Sequence, residues 1–260
     1  MNSVCKTLYI PLYGKAFVSR KGIILHDPKA EEIWAAEGFA LKGKSRSKWL
    51  AYYMGMRSAV FDRWLEEKMG ASPDAVILHI GCGMDSRVTR VGLHGHRWFD
   101  IDFPDVISER TRYYQETPEY RMLSSDIRNL QWLDTIPKGG TGIVVMEGVS
   151  MYLHPGELGT VLQALKMHFT QVQILMDCYT EFAARASKYK NPINDVGVTQ
   201  VYGADDPGQL ESGTGLRFVK EHEMTPDTLI CQLQGVERAV FQTLFAGALA
   251  RKMYRMYEFR

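Results

Sequence analysis

The sequence has little of what marks a metal-binding, disulfide-rich or membrane protein. Its four cysteines are widely spaced, at Cys5, Cys82, Cys178 and Cys231, and they form neither a CxxC pair nor a zinc-type Cys/His spacing. No apolar run reaches the 18 residues that indicate a membrane-spanning helix. We therefore expect a reduced, cytoplasmic protein with no metal site, no membrane span and no secretion signal.

Net charge is also nearly absent. The chain carries 31 Lys and Arg against 30 Asp and Glu, for a formal charge of +1. Nucleic-acid binding usually needs a clustered basic surface. The nearest cluster comprises Lys42, Lys44, Arg46 and Lys48, and we interpret it as a solvated segment. The sequence therefore predicts no nucleic-acid partner.

What is present is an alternation of short apolar runs with longer amphipathic ones. This alternation is typical of a parallel sheet covered by helices, and 260 residues suffice for one large α/β domain. Strands are predicted at residues 75–80, 98–101, 120–124, 142–146, 172–176, 217–221 and 253–259.

Apolar residues at three- and four-residue spacing predict the helices. Long helices are expected at residues 46–69, 155–169 and 227–250, each where such a period is sustained. Between residues 180 and 215 the period weakens and turn pairs such as Asn191-Pro192 recur. We expect this stretch, together with residues 9–16, to close over a ligand as a lid.

A glycine-rich turn follows the first predicted strand. Gly81 and Gly83 in the run GCGMDSR let the backbone approach a ligand, and the helix expected after them would offer free N–H groups. Ser86 stands where the dinucleotide pattern has a third glycine, so the match is partial. The turn alone does not separate a ligand site from an ordinary tight turn.

Two acids at the end of the second strand strengthen the case. Asp100 and Asp102 follow Gly81 at a distance suited to accepting hydrogen bonds from ribose hydroxyls, and strand alternation puts both on one face. Surface acids at a strand end remain the alternative. The combination indicates an adenosine-containing ligand without specifying which.

Four motifs, each at a predicted strand end, identify the ligand by resemblance. The runs GCGMDSR, DIDFPDV, DIRNLQWL and EGVSMYL, with LYIPLYGKA near the start, resemble the family of leucine carboxyl methyltransferases and tetracenomycin-type polyketide O-methyltransferases. The resemblance covers about residues 8–177. It implies a Rossmann-like class I methyltransferase with a seven-stranded, mostly parallel sheet, helices on both faces, an N-terminal helical segment and S-adenosylmethionine as cofactor.

The resemblance also implies roles for individual residues. Gly81 would contact the methionine portion and Asp102 the ribose, while Glu147 would lie near the sulfonium and amino group. The adenine would meet Asp126 and Ile127, although Asp126 could instead cap the following helix. The cofactor carboxylate would be held by Lys15 and Arg57.

The periodicity and turn signals divide the single domain into four parts. Residues 1–70 would form an N-terminal helical cap and 71–178 the cofactor-binding core. Residues 179–215 would be the lid and acceptor loop, followed by a C-terminal helix and strands at 216–260.

The methyl acceptor determines whether a base is needed. A carboxylate is already ionised at neutral pH, whereas a phenol gains from a positioned base. His154 is the candidate base and Tyr152 a candidate acceptor contact, with an exposed helix-start residue as the alternative for His154. We expect a small-molecule or carboxylate acceptor.

Two other functions stay open at this point. A non-catalytic relative could bind S-adenosylmethionine as a sensor or scaffold. An NAD-dependent oxidoreductase is the second, although the catalytic Tyr-Lys pair or substrate domain that it requires is not found. The sequence leaves a homodimer and the identity of the methylated atom open.

Overall fold

The computed structural model describes residues 8–37, 46–187 and 200–260. Its centre is a seven-stranded sheet with the strand order β3-β2-β1-β4-β5-β7-β6, in which β7 alone runs antiparallel to its neighbours. The strands are β1 Val76–Ile80, β2 Arg97–Asp102, β3 Tyr120–Ser124, β4 Thr141–Met146, β5 Gln171–Tyr179, β6 Phe218–Glu221 and β7 Tyr254–Phe259. The predicted strands are all found, and the mostly parallel sheet is confirmed.

Helices cover both faces of this sheet. The described helices are α1 Tyr9–Arg20, α2 Pro28–Glu37, α3 Lys48–Ala71, α4 Arg87–Val91, α5 Pro104–Arg110, α6 Pro155–His168, α7 Glu181–Ala186, α8 Pro207–Glu211, α9 Asp227–Ile230, α10 Gly235–Leu244 and α11 Gly247–Arg251. Short 3-10 turns occupy Leu130–Thr135 and Ser150–Tyr152. None of the helices in the described ranges is long and apolar enough to cross a membrane.

Two hydrophobic cores result from the alternation of side chains along the strands. On one face, Ile77, Trp98 and Val145 pack with the apolar residues of α1, α3 and α10. On the other, Leu78 and Val144 pack with α6. Because neighbouring residues of a buried strand point to opposite faces, the continuous apolar runs of the sequence supply both cores.

The predicted helix at residues 227–250 is wrong as a single element. The structure has three shorter helices there, α9, α10 and α11. Gly235 and Gly247 begin the second and third of these at φ of +51° and +59°, in the left-handed region. A left-handed residue cannot continue a right-handed helix, so each glycine marks a change of direction that the apolar period did not reveal.

Close packing of α1 on α3 carries the N-terminal segment to the end of the sheet. A Cβ on Gly14 would lie 2.7 Å from Met54 Cβ, and one on Gly55 would lie 2.8 Å from Val18 Cγ2. The two glycines therefore let the helix backbones approach each other. This contact places Lys15, buried on α1, near the carboxyl ends of the central strands.

Strand order reverses between β1 and β4. The chain runs outward from β1 through β2 to β3 and then returns to β4 and β5 on the other side. At such a switch point, the loops after the two central strands diverge and leave a crevice at their carboxyl ends. The candidate site lies there.

Candidate functional site

The glycine turn after β1 forms the floor of the crevice. Gly81 and Gly83 have φ of +66° and +53°, and the Gly81 N–H donates to the Ile101 carbonyl at 2.7 Å. A Cβ on Gly81 would lie 2.2 Å from Val149 Cγ2, a distance that no side chain tolerates. Glycine is therefore required here both by conformation and by the approach of the loop after β4.

Asp102 closes the turn from the end of β2. Its two carboxylate oxygens accept the N–H groups of Gly83 at 2.8 Å and Phe103 at 2.7 Å. Burial raises the pKa of Asp102 to about 6, although the two N–H donors lower it in part. The side chain is only 8% exposed and lines a cavity, and its role as a ribose contact stays a prediction.

Asp100 does not line that cavity, and its interpretation as a ribose contact needs correction. It is fully buried and accepts hydrogen bonds from Trp98 Nε1 at 2.8 Å, Tyr120 Oη at 2.6 Å and the Arg110 guanidinium. Burial works to raise its pKa, but Arg110 lowers it to about 2. Arg110 also donates to the Gly83 carbonyl at 3.0 Å, so Asp100 supports the glycine turn from beneath.

Lys15 pairs with an acid of the glycine turn. Its Nζ lies 3.3 Å from Asp85 Oδ2, and the two side chains are 2% and 8% exposed. Burial works to raise the pKa of Asp85, but Arg90, Lys15 and Arg87 together hold it well below its usual value. Both charges line the central cavity described below, where a zwitterionic amino-acid group would find opposite charges.

Arg57 links two acids from neighbouring strands. Its Nε donates to Glu147 Oε1 and its Nη1 to Asp177 Oδ2, each at 3.0 Å. Ser58 adds a hydrogen bond to Glu147 at 2.9 Å, and Asp177 accepts the Gly148 N–H at 2.5 Å. Arg57 is therefore held in the crevice wall by the carboxyl ends of β4 and β5.

Glu147 is held from the other side by Arg87. The Arg87 guanidinium donates to Glu147 Oε2 and approaches His79 Nε2 at 2.9 Å. Since Arg87 can only donate, the ring nitrogen accepts and His79 is neutral. Burial works to raise the pKa of Glu147, but Arg57 and Arg87 lower it to about 2, so the carboxylate is ionised.

Sequence reasoning named Arg57 and Glu147 but missed Asp85, Arg87 and Asp177. Asp85 and Arg87 lie within the GCGMDSR motif, in which only the glycines were predicted to contact the ligand. Asp177 lies near the carboxyl end of β5, the same location that pointed to the other acids. The strand-end argument could therefore have found it.

Two adjoining cavities occupy the crevice. The central cavity, of about 130 Å³, is lined by Lys15, Arg57, Gly81, Asp85 and Glu147, with Met54, Met151, Tyr152, Tyr179 and Tyr254 opposite. The side cavity, of about 320 Å³, is lined by Asp102, Phe103, Asp126, Ile127 and Val149. They share Leu8, Gly81, Gly148 and Tyr152 in their walls, so the glycine turn lies between them.

Asp126 and Ile127 lie at the far end of the side cavity. Asp126 accepts the Arg128 N–H at 3.0 Å, and its carboxylate pairs with the Arg128 guanidinium at 2.5 Å. It does not cap the following 3-10 turn, because Asn129 does so. The capping alternative is therefore wrong, and Asp126 stays in the predicted contact set.

His154 does not face either cavity. It is exposed at the start of α6, where its Nδ1 accepts the Gly156 N–H at 3.2 Å and Glu157 completes a capping box. Its ring packs edge-on against Tyr202 at 5.3 Å. The candidate base is therefore a helix cap, whereas Tyr152, named with it, lines both cavities.

The predicted lid is placed only in part. Ile10, Pro11, Leu12 and Lys15 of α1 line the central cavity, and closure of residues 9–16 over a ligand stays a prediction. Residues 188–199 of the second segment lie outside the described part of the chain, as do Lys42 and Lys44 of the basic cluster. None of the described residues between 180 and 215 lines the central or the side cavity. Closure by that segment stays a prediction.

The types of residue that line the two cavities, and their order along the crevice, fit the parts of S-adenosylmethionine. The acid suited to the ribose and the residues suited to the adenine line the side cavity, and the charged pairs suited to an amino-acid end line the central one. Of the described residues, no group of three or more His, Cys, Asp and Glu is arranged to hold a metal ion. The charge pattern thus matches a ligand with a ribose and a zwitterionic end.

Comparison with known proteins finds relatives among the methyltransferases. A family model described as leucine carboxyl methyltransferase matches residues 7–166. The chain is 30% identical over 261 residues to the tetracenomycin polyketide synthesis O-methyltransferase TcmP of Streptomyces glaucescens, covering 96% of this chain and 97% of that protein. It is 29% identical over 191 residues to the S-adenosyl-L-methionine-dependent methyltransferase dpfgK of Gibberella zeae, covering 67% and 64%.

A solved structure supports the fold. A Thermobifida fusca YX protein assigned to the methyltransferases superposes with a TM-score of 0.62 at 13% identity, covering 95% of this chain and 93% of that one. At this identity the likeness concerns the fold alone. It confirms the Rossmann-like class I methyltransferase architecture.

Proposed function

Because the chain belongs to the leucine carboxyl methyltransferase family and is an S-adenosylmethionine-dependent methyltransferase, we propose that it methylates a carboxylate of a small organic acid. One observation carries this choice of acceptor. Among the described residues that line the central cavity, the one histidine already accepts from Arg87 and both carboxylates have lowered pKa values. An acceptor that is already ionised needs no group to remove a proton.

Five ionisable groups of the central cavity support this argument. Asp85 and Glu147 are paired with buried cations, which hold the pKa of each carboxylate low. Burial lowers the pKa of His79, and its Nε2 already accepts from Arg87. Burial also raises the pKa values of the Cys82 thiol and the Tyr254 phenol, so both keep their protons. His154, the base considered for a phenol, caps α6 instead.

Cofactor binding is proposed for the residues around the glycine turn. Asp102 would accept the ribose hydroxyls, and Asp126 and Ile127 would bound the adenine. The amino-acid end would meet Lys15, Asp85 and Glu147, with Gly81 and Gly83 giving the backbone room to approach. Arg57 is assigned to hold Glu147 and Asp177 in place and to present its remaining N–H donors to a carboxylate.

Positioning is the main contribution expected of the protein to the reaction. When bound, S-adenosylmethionine supplies an electrophilic methyl group on a positively charged sulfur. Aligning an acceptor oxygen with that methyl can supply several kcal/mol of barrier reduction, on the order of the gains known for well-oriented reactants. Met54, Met151 and Tyr152 line this cavity, and a bound acceptor would displace from their apolar surface water that otherwise shields its carboxylate from the sulfonium.

The relative's name supports a small-molecule acceptor. TcmP is named for tetracenomycin polyketide synthesis, and its match extends over nearly the whole of both chains. An acceptor of low molecular weight also suits the small size of the central cavity, which is about 130 Å³. We infer that the natural acceptor is a free organic acid.

The chemistry of the product tests the proposal. The purified enzyme is incubated with methyl-tritiated S-adenosylmethionine and a panel of aromatic and aliphatic carboxylic acids. We expect label that extracts with the acid and is released as methanol by mild alkali, because a methyl ester hydrolyses and an ether or N-methyl group does not. Alkali-stable label would contradict a carboxylate acceptor, and an absence of turnover with intact S-adenosylhomocysteine binding would favour the non-catalytic alternative.

A further inference from the structure

His79 is the one histidine among the described residues that line the central cavity, and the proposed reaction gives it no role. It lies on β1, two residues before Gly81, with only 1% of its side chain exposed. The strand register pairs it with Asp100 of β2, so both side chains lie on the same face of the sheet. A ring buried to this extent needs partners for its nitrogens, and those partners determine what it can do.

Both ring nitrogens of His79 face charged side chains. Nε2 lies 2.9 Å from Arg87 Nη1, and because a guanidinium can only donate, Nε2 accepts. The proton of the neutral ring is therefore on Nδ1, which lies 3.2 Å from Asp100 Oδ1 without the alignment of a hydrogen bond. Burial lowers the pKa of His79, which keeps the ring neutral at pH 7. The directed contact of His79 is thus the one to Arg87.

The Arg87 guanidinium is held by acceptors at three different nitrogens. Its Nε donates to Asp62 Oδ1 at 2.7 Å, its Nη1 to His79 and its Nη2 to Glu147. Because the guanidinium is rigid and planar, these three contacts together define its orientation. His79 is the uncharged member of the three, and its loss would leave one buried N–H group of Arg87 without an acceptor.

Asp85 could then draw the guanidinium out of place. Arg87 Nη2 already lies 3.3 Å from Asp85 Oδ2, the same oxygen that pairs with Lys15 Nζ at 3.3 Å. A buried donor without an acceptor is costly, so a freed guanidinium would turn toward this carboxylate. It would then compete with Lys15 and withdraw from Glu147.

Glu147 depends on Arg87 for the direction of one of its oxygens. Oε1 accepts from Arg57 at 3.0 Å and from Ser58 at 2.9 Å, whereas Arg87 holds Oε2. Glu147 lines the central cavity where the amino-acid end of the cofactor is proposed to lie. The orientation of Arg87 therefore affects a carboxylate that is assigned to the cofactor.

We propose that His79 is a positioning residue for the amino-acid end of S-adenosylmethionine. As a neutral acceptor, its Nε2 holds the Arg87 guanidinium against Glu147 and away from the pair of Asp85 and Lys15. Both acids thereby keep the orientation in which they line the central cavity. His79 acts through Arg87 and not by contact with the reacting atoms. The inference rests on the cofactor placement proposed above.

Two amide substitutions isolate the role of Nε2. His79→Gln brings an amide oxygen to about the place of Nε2, where it can accept from Arg87. His79→Asn is one methylene shorter, so its amide ends near the place of Nδ1, beside Asp100, and does not reach Arg87. Each variant is titrated calorimetrically with S-adenosylhomocysteine and with 5′-methylthioadenosine, which has the same adenosine but no amino-acid end.

We expect His79→Asn to bind S-adenosylhomocysteine about tenfold more weakly than wild type, and 5′-methylthioadenosine within about twofold of it. His79→Gln should restore the affinity for S-adenosylhomocysteine to within about threefold of wild type. A merely structural role would weaken the binding of both ligands alike. Equal affinities of the two variants for S-adenosylhomocysteine, or an equal loss for both ligands in His79→Asn, would overturn the inference.

Glu147→Gln separates this inference from the cofactor placement on which it rests. If Glu147→Gln weakens only S-adenosylhomocysteine binding while both His79 variants bind both ligands as wild type does, then the placement stands and the inference is wrong. If Glu147→Gln binds both ligands as wild type does, then the amino-acid end does not meet Glu147. The placement is then wrong, and the inference with it.

The tautomer of His79 in the wild-type protein tests the same contact if His79→Asn does not fold. A long-range 1H–15N correlation spectrum distinguishes the two neutral tautomers and the charged ring, and the His79 signal is the one absent from His79→Gln. We expect the proton on Nδ1. A proton on Nε2 would show that this nitrogen does not accept from Arg87 and would overturn the inference. Failure of His79→Gln to fold would also overturn it, because a restored acceptor should suffice.

Discussion

Asp102→Asn is the substitution that tests the proposed cofactor site most cleanly. The wild-type carboxylate accepts the Gly83 and Phe103 N–H groups and still faces the side cavity. A hydrogen bond from a ligand hydroxyl to a charged group contributes roughly 1.5–3 kcal/mol. The variant should therefore bind S-adenosylhomocysteine about 10- to 150-fold more weakly, measured by isothermal titration calorimetry at pH 7.5.

The pH dependence of the same binding follows from the pKa of Asp102. Ligand hydroxyls prefer the ionised carboxylate, and in the free protein burial raises its pKa to about 6. Affinity should be constant above that pH and fall as the pH drops below it, by about tenfold for each pH unit, because a proton must then be displaced. The Asn variant should show no such slope.

Asp102 also makes the unfolding free energy depend on pH, and this dependence has the opposite sign. The unfolded chain releases this proton near pH 3.9, whereas the folded protein keeps it to about pH 6. Between these values the folded state binds more protons, so this group lowers the unfolding free energy as pH rises through the window. Ligand binding and folding thus respond to this group in opposite directions.

The matched control for this test is Asp105→Asn. It removes an exposed carboxylate in the first turn of α5, three residues away, and should leave binding unchanged. Melting temperatures of both variants report whether the fold survives. If Asp102→Asn binds S-adenosylhomocysteine within twofold of wild type at every pH, then Asp102 is not the ribose contact.

Other substitutions test other parts of the site. Glu147→Gln leaves Arg57 and Arg87 without their shared carboxylate and should lower the unfolding free energy by about 3 kcal/mol in urea denaturation; an unchanged midpoint would contradict the role of this network. His154→Ala should cost about 1 kcal/mol of stability as a lost helix cap and leave kcat within twofold, whereas a loss of kcat above tenfold would restore it as a base. Gly81→Ala should abolish S-adenosylhomocysteine binding because its Cβ would meet Val149, while Gly70→Ala, with open space around it, should not; normal binding by Gly81→Ala would refute the close approach of the two loops.

Much of the fold was predictable because buried parallel strands leave a strong local signal. The runs that became β1 and β4 are apolar on both faces, and each predicted strand was found within a few residues of its observed ends. The split of residues 227–250 into three helices was not predictable from apolar spacing. It depends on left-handed glycines at 235 and 247, and a glycine within a periodic pattern does not reveal its φ.

The candidate site was predictable where position along a strand determines it. Asp102, Glu147 and the glycine turn lie at strand ends, so sheet topology alone brings them together. Asp100 was assigned wrongly because alternation gives the face but not the depth, and its partners Arg110 and Tyr120 come from other elements. His154 was assigned by nearness in sequence, whereas the chain turns between Tyr152 and α6 and directs it to solvent.

A crystal structure with S-adenosylhomocysteine tests the central claim most directly. The account predicts ribose hydroxyls on Asp102 and the adenine beside Ile127. It predicts the amino-acid end between Lys15 and Glu147 and the sulfur facing the cavity wall of Tyr152, Tyr179 and Tyr254. A ligand bound outside the crevice, or one whose sulfur faces away from that wall, would contradict it.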